Sequence, residues 1–391
     1  MSAPKIQITS KLPNVKTTIF QTMSGTAQQS KAINLGQGFP DFACDPELIN
    51  AVHQAMLAGH NQYPPMTGAS ALRQAISDKV FHQYGWRYDI EKEITVTAGA
   101  TQALLTTILA TVHPGDEVIV LEPAYDSYIP SIELAGGTVI RVPLQYDAEA
   151  LRFYYDWNLL RQAISNKTRL LLINSPNNPT GLCLKSDDLH NLAELLRDTK
   201  VLVLSDEVYE HMVFDGGHHQ SLAAHDELRQ RSFIVSSFGK TYHVTGWKIG
   251  YVLAPAELMA EFRKVHQFNV FTANSAMQVG FASYIQDPNH YLALPQFYQT
   301  KRDYFREGLK QTGLKLLSSE GSYFQCVDYS NISTLPELEF ATWLCQEIGV
   351  AAIPVSAFYQ DGKNQNLVRF CFAKKTETLD LAIQKLQRLN I

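Results

Sequence analysis

Thr168-Arg169-Leu170-Leu171-Leu172-Ile173-Asn174 and Val201-Leu202-Val203-Leu204-Ser205-Asp206 decide the fold. Each is a continuous apolar run that gives way to polar residues at its carboxyl end. Unbroken apolarity, in place of alternation, marks a strand buried on both faces. Such strands belong to a mostly parallel sheet with helical crossovers. Working outward, about seven runs of this kind alternate with helical stretches: residues 94–98, 117–121, 138–144, 168–174, 201–205, 232–236 and 251–254. The expected fold class is therefore α/β. In sheets of this type ligands bind beyond the carboxyl ends of the strands, and the polar strings of this chain fall there.

The flanks are simpler. An arm up to about Ile33 carries a short helix near residues 18–29, and helices follow at 46–58 and 71–84. Leu72, Ala75, Ile76 and Val80 share one face of the last. Beyond residue 254 come helices near 257–268 and 294–311. Residues 321–328 and 367–372 read as strands of a separate, smaller layer.

Composition excludes several classes. The 391 residues are 45% hydrophobic and 18% charged, which is globular and too large for one small core. A net charge of −5 gives no reason to expect nucleic acid or an anionic membrane as partner. Five cysteines without a C-x-x-C pair suit a reducing compartment. Residues 1–10 hold no apolar run of a signal peptide, and no stretch is long and apolar enough for a bilayer span. A soluble, cytoplasmic chain is the expectation. His218-His219, with His211 and His225 nearby, show no metal-binding spacing, so no metal site is expected.

The chemistry gathers at the strand ends. Phe233-Ile234-Val235 runs into Ser236-Ser237-Phe238-Gly239-Lys240, which sets one flexible amine in a small-residue turn. A neutral lysine amine condenses with carbonyls. Ser205-Asp206-Glu207-Val208-Tyr209 puts a carboxylate at the tip of a buried strand, where it is costly unless paired. It suits a protonated ring nitrogen, or caps the next segment. Asn174-Ser175-Pro176-Asn177-Asn178-Pro179-Thr180-Gly181 offers side-chain amides, or simple turn chemistry. Gly99-Ala100-Thr101 opens a helix whose free N–H groups favour an anion; an ordinary turn with Thr101 as N-cap reads the same. Tyr125 can stack on a flat ring or pack in a loop. Gly38, in Leu35-Gly36-Gln37-Gly38-Phe39-Pro40, lets backbone N–H approach a ligand. Arg369 alternates with Val368 and Phe370, and either clamps a carboxylate or sits solvated on an open sheet face.

In this order the strings 34–42, 177–181, 205–209, 239–242, 245–248 and 368–372 resemble those of the class I/II aminotransferases, fold-type-I enzymes that use pyridoxal 5′-phosphate. The similarity covers nearly the whole chain. It implies a large domain at 46–288 with a mostly parallel seven-stranded sheet and a small domain at 289–391. Residues 1–45 would be an arm and part of the small domain. It implies that Lys240 holds the cofactor and then moves a proton, and that Asp206 pairs with the ring nitrogen. Tyr209 and Asn178 would bond the phenolic oxygen, with Tyr125 stacked on the ring. The phosphate would sit on the N–H groups of Ala100 and Thr101 after Gly99, with Ser237 and Lys248. Arg369, Asn178 and Gly38 would bind the substrate carboxylate. Tyr63 would reach the neighbouring subunit's phosphate region, which implies a homodimer with shared sites. Lys248 stands where many relatives have arginine, and loses the planar fork.

The resemblance further implies transfer of an amino group from an amino acid to a 2-oxo acid in a ping-pong cycle. Dicarboxylate-specific relatives read the side-chain carboxylate with an arginine, and residues 266–274 have none. They offer Phe268 and Phe271, with Phe20 and Tyr63 expected alongside. That favours methionine or aromatic donors. Carbon–sulfur β-lysis of cysteine conjugates, or broad kynurenine/glutamine transamination, are the alternatives. A transcription regulator would need a fused helix-turn-helix module, and the arm is too short for one.

Overall fold

All seven apolar runs are strands of one sheet. They are β1 Ile94–Thr97, β2 Glu117–Glu122, β3 Thr138–Pro143, β4 Thr168–Asn174, β5 Leu202–Asp206, β6 Ser232–Ser237 and β7 Gly250–Leu253. The spatial order is β1-β7-β6-β5-β4-β2-β3. Every pairing from β6 to β3 is parallel, and β7 runs antiparallel to both β1 and β6. The computed structural model describes residues 8–389; most of the stretch read above for a signal peptide, residues 1–7, lies outside the described residues.

The sheet separates two apolar layers, and the side-chain alternation of each strand divides between them. Val118, Val120, Leu170, Leu172, Leu204 and Phe233 pack on one side with Leu104 and Ile108. Ile119, Leu171, Ile173, Val203 and Ile234 face the other, with Leu192 and Leu196. Helices on both faces are why these strands read as continuously apolar. Residues 168–174 form a strand with the expected bounds, and the other six differ by one residue at one or both ends, where fraying and capping blur the boundary.

Five helices precede or thread the first strands: α1 Ile19–Gln29, α2 Pro46–Leu57, α3 Ser70–Tyr84, α4 Ala100–Thr111 and α5 Tyr128–Ala135. Thr18 and Asp45 cap α1 and α2 through their side chains. Gly99, at φ +80°, caps α4, and Thr101 lies inside the helix.

The smaller layer is a four-stranded antiparallel sheet. Its order is Lys315–Leu316, Phe324–Asp328, Leu367–Cys371, Ile353–Pro354. The N-terminal stretch is stitched to it. Ile33–Asn34 pairs with Val350–Ala351, Cys371 N–H donates to Leu35 O at 2.7 Å, and Lys374 Nζ donates to Phe39 O at 2.7 Å. Residues 36–41 are thereby held between the small sheet and the carboxyl ends of the large one. Among the described residues no helix is long and apolar enough to cross a membrane.

Candidate active site

The carboxyl ends of β4, β5 and β6 lie in register: Asn174 pairs with Asp206, and Asp206 with Val235. A cavity of about 160 Å³ opens beyond them. Asp206, Tyr209 and Lys240 line it, with Asn178, Ser237 and Lys248. The start of α4 contributes Gly99, Ala100 and Thr101, and the turn after β2 contributes Tyr125. These come from strings far apart in sequence. A larger hollow of about 1020 Å³ opens beside α3, with Lys79, Glu210 and His211 in its wall. It shares no lining residue with the first.

Lys240 sits in the single turn Phe238–Thr241 that follows β6. Its Nζ donates to Gly38 O at 3.2 Å and lies 5.8 Å from the Tyr209 ring centre. Burial lowers its ammonium to about 8, with Arg369 acting in the same sense and Cys371 and Asp206 opposing. An amine at that level has an appreciable neutral fraction near neutral pH.

Asp206 ends β5 and is 3% exposed. Burial raises its carboxyl to about 6, while Tyr128, the Val208 N–H and Lys240 pull it back. Tyr128 donates to Oδ2 at 2.6 Å, and the Val208 N–H to Oδ1 at 3.3 Å. Tyr209 is buried, and its ring meets Tyr323 edge-on at 5.1 Å. The Tyr323 hydroxyl donates to Gly38 O at 2.5 Å. It is therefore the carbonyl of Gly38 that faces Lys240. Glycine is required there, because a Cβ would lie 2.8 Å from Phe324 Cζ.

The α4 end forms a cradle. A Cβ on Gly250 would stand 2.6 Å from Ser236 O and 3.2 Å from the Ala100 nitrogen. The aliphatic stem of Lys248, itself at φ +55°, runs past Gly99, whose Cβ would lie 3.5 Å from Lys248 Cε. Free N–H groups at a helix start, a hydroxyl and a lysine converge on this end, which suits a phosphate.

Arg369 lies in the middle of the small sheet and is fully buried. This settles the choice left open above: it is not a solvated charge on an open face. Its Nη1 donates to Asn178 Oδ1 at 2.6 Å and its Nη2 to Gly36 O at 2.7 Å, while Nε has no partner among the described residues. Phe324, Phe20 and Phe358 ring the guanidinium, at 3.9, 5.4 and 5.4 Å from its carbon. Buried guanidinium with an unmade bond is suited to a carboxylate.

Three expected aromatic residues are elsewhere. Tyr63 is 83% exposed and packs on Phe271 at 5.4 Å, beside a separate surface hollow. Phe268 is 86% exposed. One chain does not bring Tyr63, Phe268 or Phe271 to the cavity around Lys240: the helix Ala256–Asn269 and the turn after it carry Phe268 and Phe271 outward, and Tyr63 lies in the exposed loop between α2 and α3. Phe20 alone of that group joins Arg369. Six lining residues, Leu104, Tyr128, Asn174, Val208, Gly239 and Thr245, were not assigned to the site from the sequence. Val208 is hidden between Asp206 and Tyr209 as an apparent core residue. Tyr128 opens α5, and nothing local marks it as a partner of Asp206.

Comparison with known proteins agrees with this geometry. The family "aminotransferase class I and II" matches residues 30–386. Methionine aminotransferase of Escherichia coli is 48% identical over 381 residues, 97% of this chain and 98% of that protein. The crystal structure of an E. coli methionine aminotransferase superposes with a TM-score of 0.96, covering 98% of this chain and 100% of that one. N-succinyldiaminopimelate aminotransferase of Mycobacterium tuberculosis gives 0.93 at 39% identity, covering 98% and 100%. Mouse kynurenine–oxoglutarate transaminase 1 is 34% identical, covering 92% of each chain. The chain belongs to the class I and II aminotransferases, enzymes that work with pyridoxal phosphate.

Proposed function

We propose that this aminotransferase takes the amino group of methionine, or of an aromatic or large neutral amino acid, and passes it to a 2-oxo acid. The cavity fits pyridoxal phosphate on its own features. It has an anion cradle at one end, a buried carboxylate aimed in from β5, and one half-buried amine. When bound, the cofactor supplies a carbonyl that condenses with amines and a ring that takes up electrons as the substrate Cα–H bond breaks.

The residues divide that work. Ala100 and Thr101 N–H groups, Ser237 and Lys248 hold the phosphate beyond Gly99. Asp206 keeps the ring nitrogen protonated. Tyr209 and Asn178 bind the phenolic oxygen, and Tyr125 covers one ring face. Lys240 would hold the cofactor's carbonyl carbon and, once freed from it, would take the proton from substrate Cα and deliver it to that carbonyl carbon. Its lowered proton affinity supports both roles. Arg369 fixes the substrate carboxylate, assisted by Asn178 and the Gly38 backbone. Phe20 borders the substrate.

The observation that carries the donor class is the ring-walled Arg369 beside Phe20, with no second arginine near it in the segment read for one. The E. coli relatives named for methionine support it. The exposed Tyr63–Phe271 pair supports a homodimer in which Tyr63 completes the partner's phosphate end and Phe268 and Phe271 its substrate side. We assign residues 46–288 to a large domain and 289–391 to a small one, with the arm and part of the small domain at 1–45. The protein works in the cytoplasm. The kynurenine transaminase relatives favour one alternative, broad transamination of kynurenine or glutamine, with β-lysis of cysteine conjugates as a side reaction.

The test is the visible spectrum of the holoenzyme with methionine alone. Bleaching of the yellow colour, and its return with a 2-oxo acid, is the expected result. Bleaching by aspartate in preference to methionine overturns the donor class.

A further inference from the structure

We propose that Tyr128 is a positioning residue for this reaction: its hydroxyl aims the Asp206 carboxylate at the ring nitrogen and keeps it ionised. The inference rests on the role given to Asp206 above.

Tyr128 is the first residue of α5 and is 2% exposed. Its hydroxyl donates to Asp206 Oδ2 at 2.6 Å, across 78 residues of sequence. That length belongs to charge-assisted O–H···O⁻ bonds. The other oxygen receives only the longer Val208 N–H bond, at 3.3 Å. The main chain of Asp206 is separately held, since Asn174 Nδ2 donates to its carbonyl at 2.9 Å. Backbone and side chain are thus fixed by different partners. Among the described residues, Tyr128 is the one side chain that hydrogen-bonds the carboxylate.

The charged and titratable groups around Asp206 are few. Lys240 faces it from the turn after β6, Glu207 from its own strand end, and Tyr125, Tyr128 and Tyr209 from the remaining walls. Burial and Glu207 favour the neutral acid; Lys240 and Tyr128 favour the anion. The Tyr128 phenol cannot itself ionise in the working range, because burial, and then Asp206, push it far up. It is a fixed donor. Without that donor the carboxylate is more basic and takes the proton that belongs on the ring nitrogen. The same ring meets Tyr125 edge-on at 5.5 Å, so one side chain also braces the stacking residue.

Tyr128→Phe keeps the ring and removes the hydroxyl. Apoenzyme is titrated with pyridoxal phosphate from about pH 5.5 to 9, following tryptophan fluorescence, with far-UV circular dichroism as a fold control. We expect cofactor binding to weaken about tenfold near neutral pH, with the gap closing at high pH, and the half-point to move up by about one to two pH units. In an Asp206→Asn background the same substitution should cost nothing further. A loss equal at every pH, an unchanged profile, or additive losses would overturn the role. If Tyr128→Phe fails to fold, a folded Tyr128→Phe/Asp206→Asn double variant supports the pairing, and an equally unfolded one refutes it. Wild-type protein that binds no pyridoxal phosphate would instead overturn the underlying reading of the cavity.

Discussion

Two lysine–carboxylate couples flank one short segment, residues 206–210, and they reach opposite electrostatic states. Lys79 Nζ meets Glu210 Oε1 at 2.8 Å, with both side chains buried. The same carboxylate accepts from Ser236 Oγ at 2.8 Å, Tyr251 hydroxyl at 3.2 Å and Tyr84 hydroxyl at 2.9 Å. Burial alone would raise Glu210, yet Lys79 together with His211 and His219 outweighs it and holds the group well below its ordinary range. Asp206 and Lys240 instead form no ion pair. Burial raises one to about 6 and lowers the other to about 8, so both sit near their titration points at neutral pH. A fully satisfied pair is a structural clamp. A separated pair whose proton affinities have converged is equipped for proton transfer.

The largest expected effect breaks the second couple. Lys240→Ala should lower the rate of the methionine half-reaction about 10⁴-fold or more, with the melting temperature little changed; stopped-flow absorbance measures it. Glu210→Ala attacks the first couple. It leaves Lys79 buried and uncompensated and should cost about 3–5 kcal/mol in denaturant unfolding. Lys79→Met with Glu210→Leu should restore most of that, because neither charge remains. If the Glu210 variant stays stable, the clamp reading is wrong.

Arg369→Lys tests the ring-walled guanidinium whose charge acts on Lys240. It should raise the KM for methionine about 10–100-fold and spare the unfolding transition, since charge remains but the fork is lost. A pH experiment sharpens the contrast further. Lys240 binds its proton less tightly folded than unfolded, so the folded apoenzyme is penalised below about pH 8 and relieved as pH rises to about 10.5. Lys240→Met should therefore stabilise the apoenzyme at pH 7 by roughly 1–2 kcal/mol, after allowing for solvent in the cavity, and by nothing at pH 10.5. Asp206 runs the other way: its raised value makes the folded state bind more protons, so its contribution is lost as pH rises from about 4 to 6. The smallest effect is at Lys248. Lys248→Arg should tighten cofactor binding about threefold, read by fluorescence titration, because the fork adds one geometry-matched bond to phosphate.

Local chemistry made much of this legible. The seven strands could be read because helices cover both faces of the sheet, which demands unbroken apolar runs such as 170–173 and 201–204. Lys240, Asp206, Asn178 and the Gly99–Thr101 turn could be located because a parallel sheet sends its polar groups to one edge. Pattern and spacing are short-range properties, and chain order carried them.

What chain order could not carry were the pairings between distant segments. Lys79 and Glu210 are separated by 131 residues, and nothing in the local sequence pairs them. Tyr128 carries no local signal that its hydroxyl meets Asp206. Arg369 reads as a clamp or as a solvated charge, the commoner case for a lone arginine, and its full burial among Phe20, Phe324 and Phe358 rules out the solvated charge. Tyr63, Phe268 and Phe271 read as pocket walls, yet the folded chain turns them outward. Residue type states what a group can do. Burial and the partner brought to it across the fold set its charge and its reach, and those arise only when the chain has closed on itself.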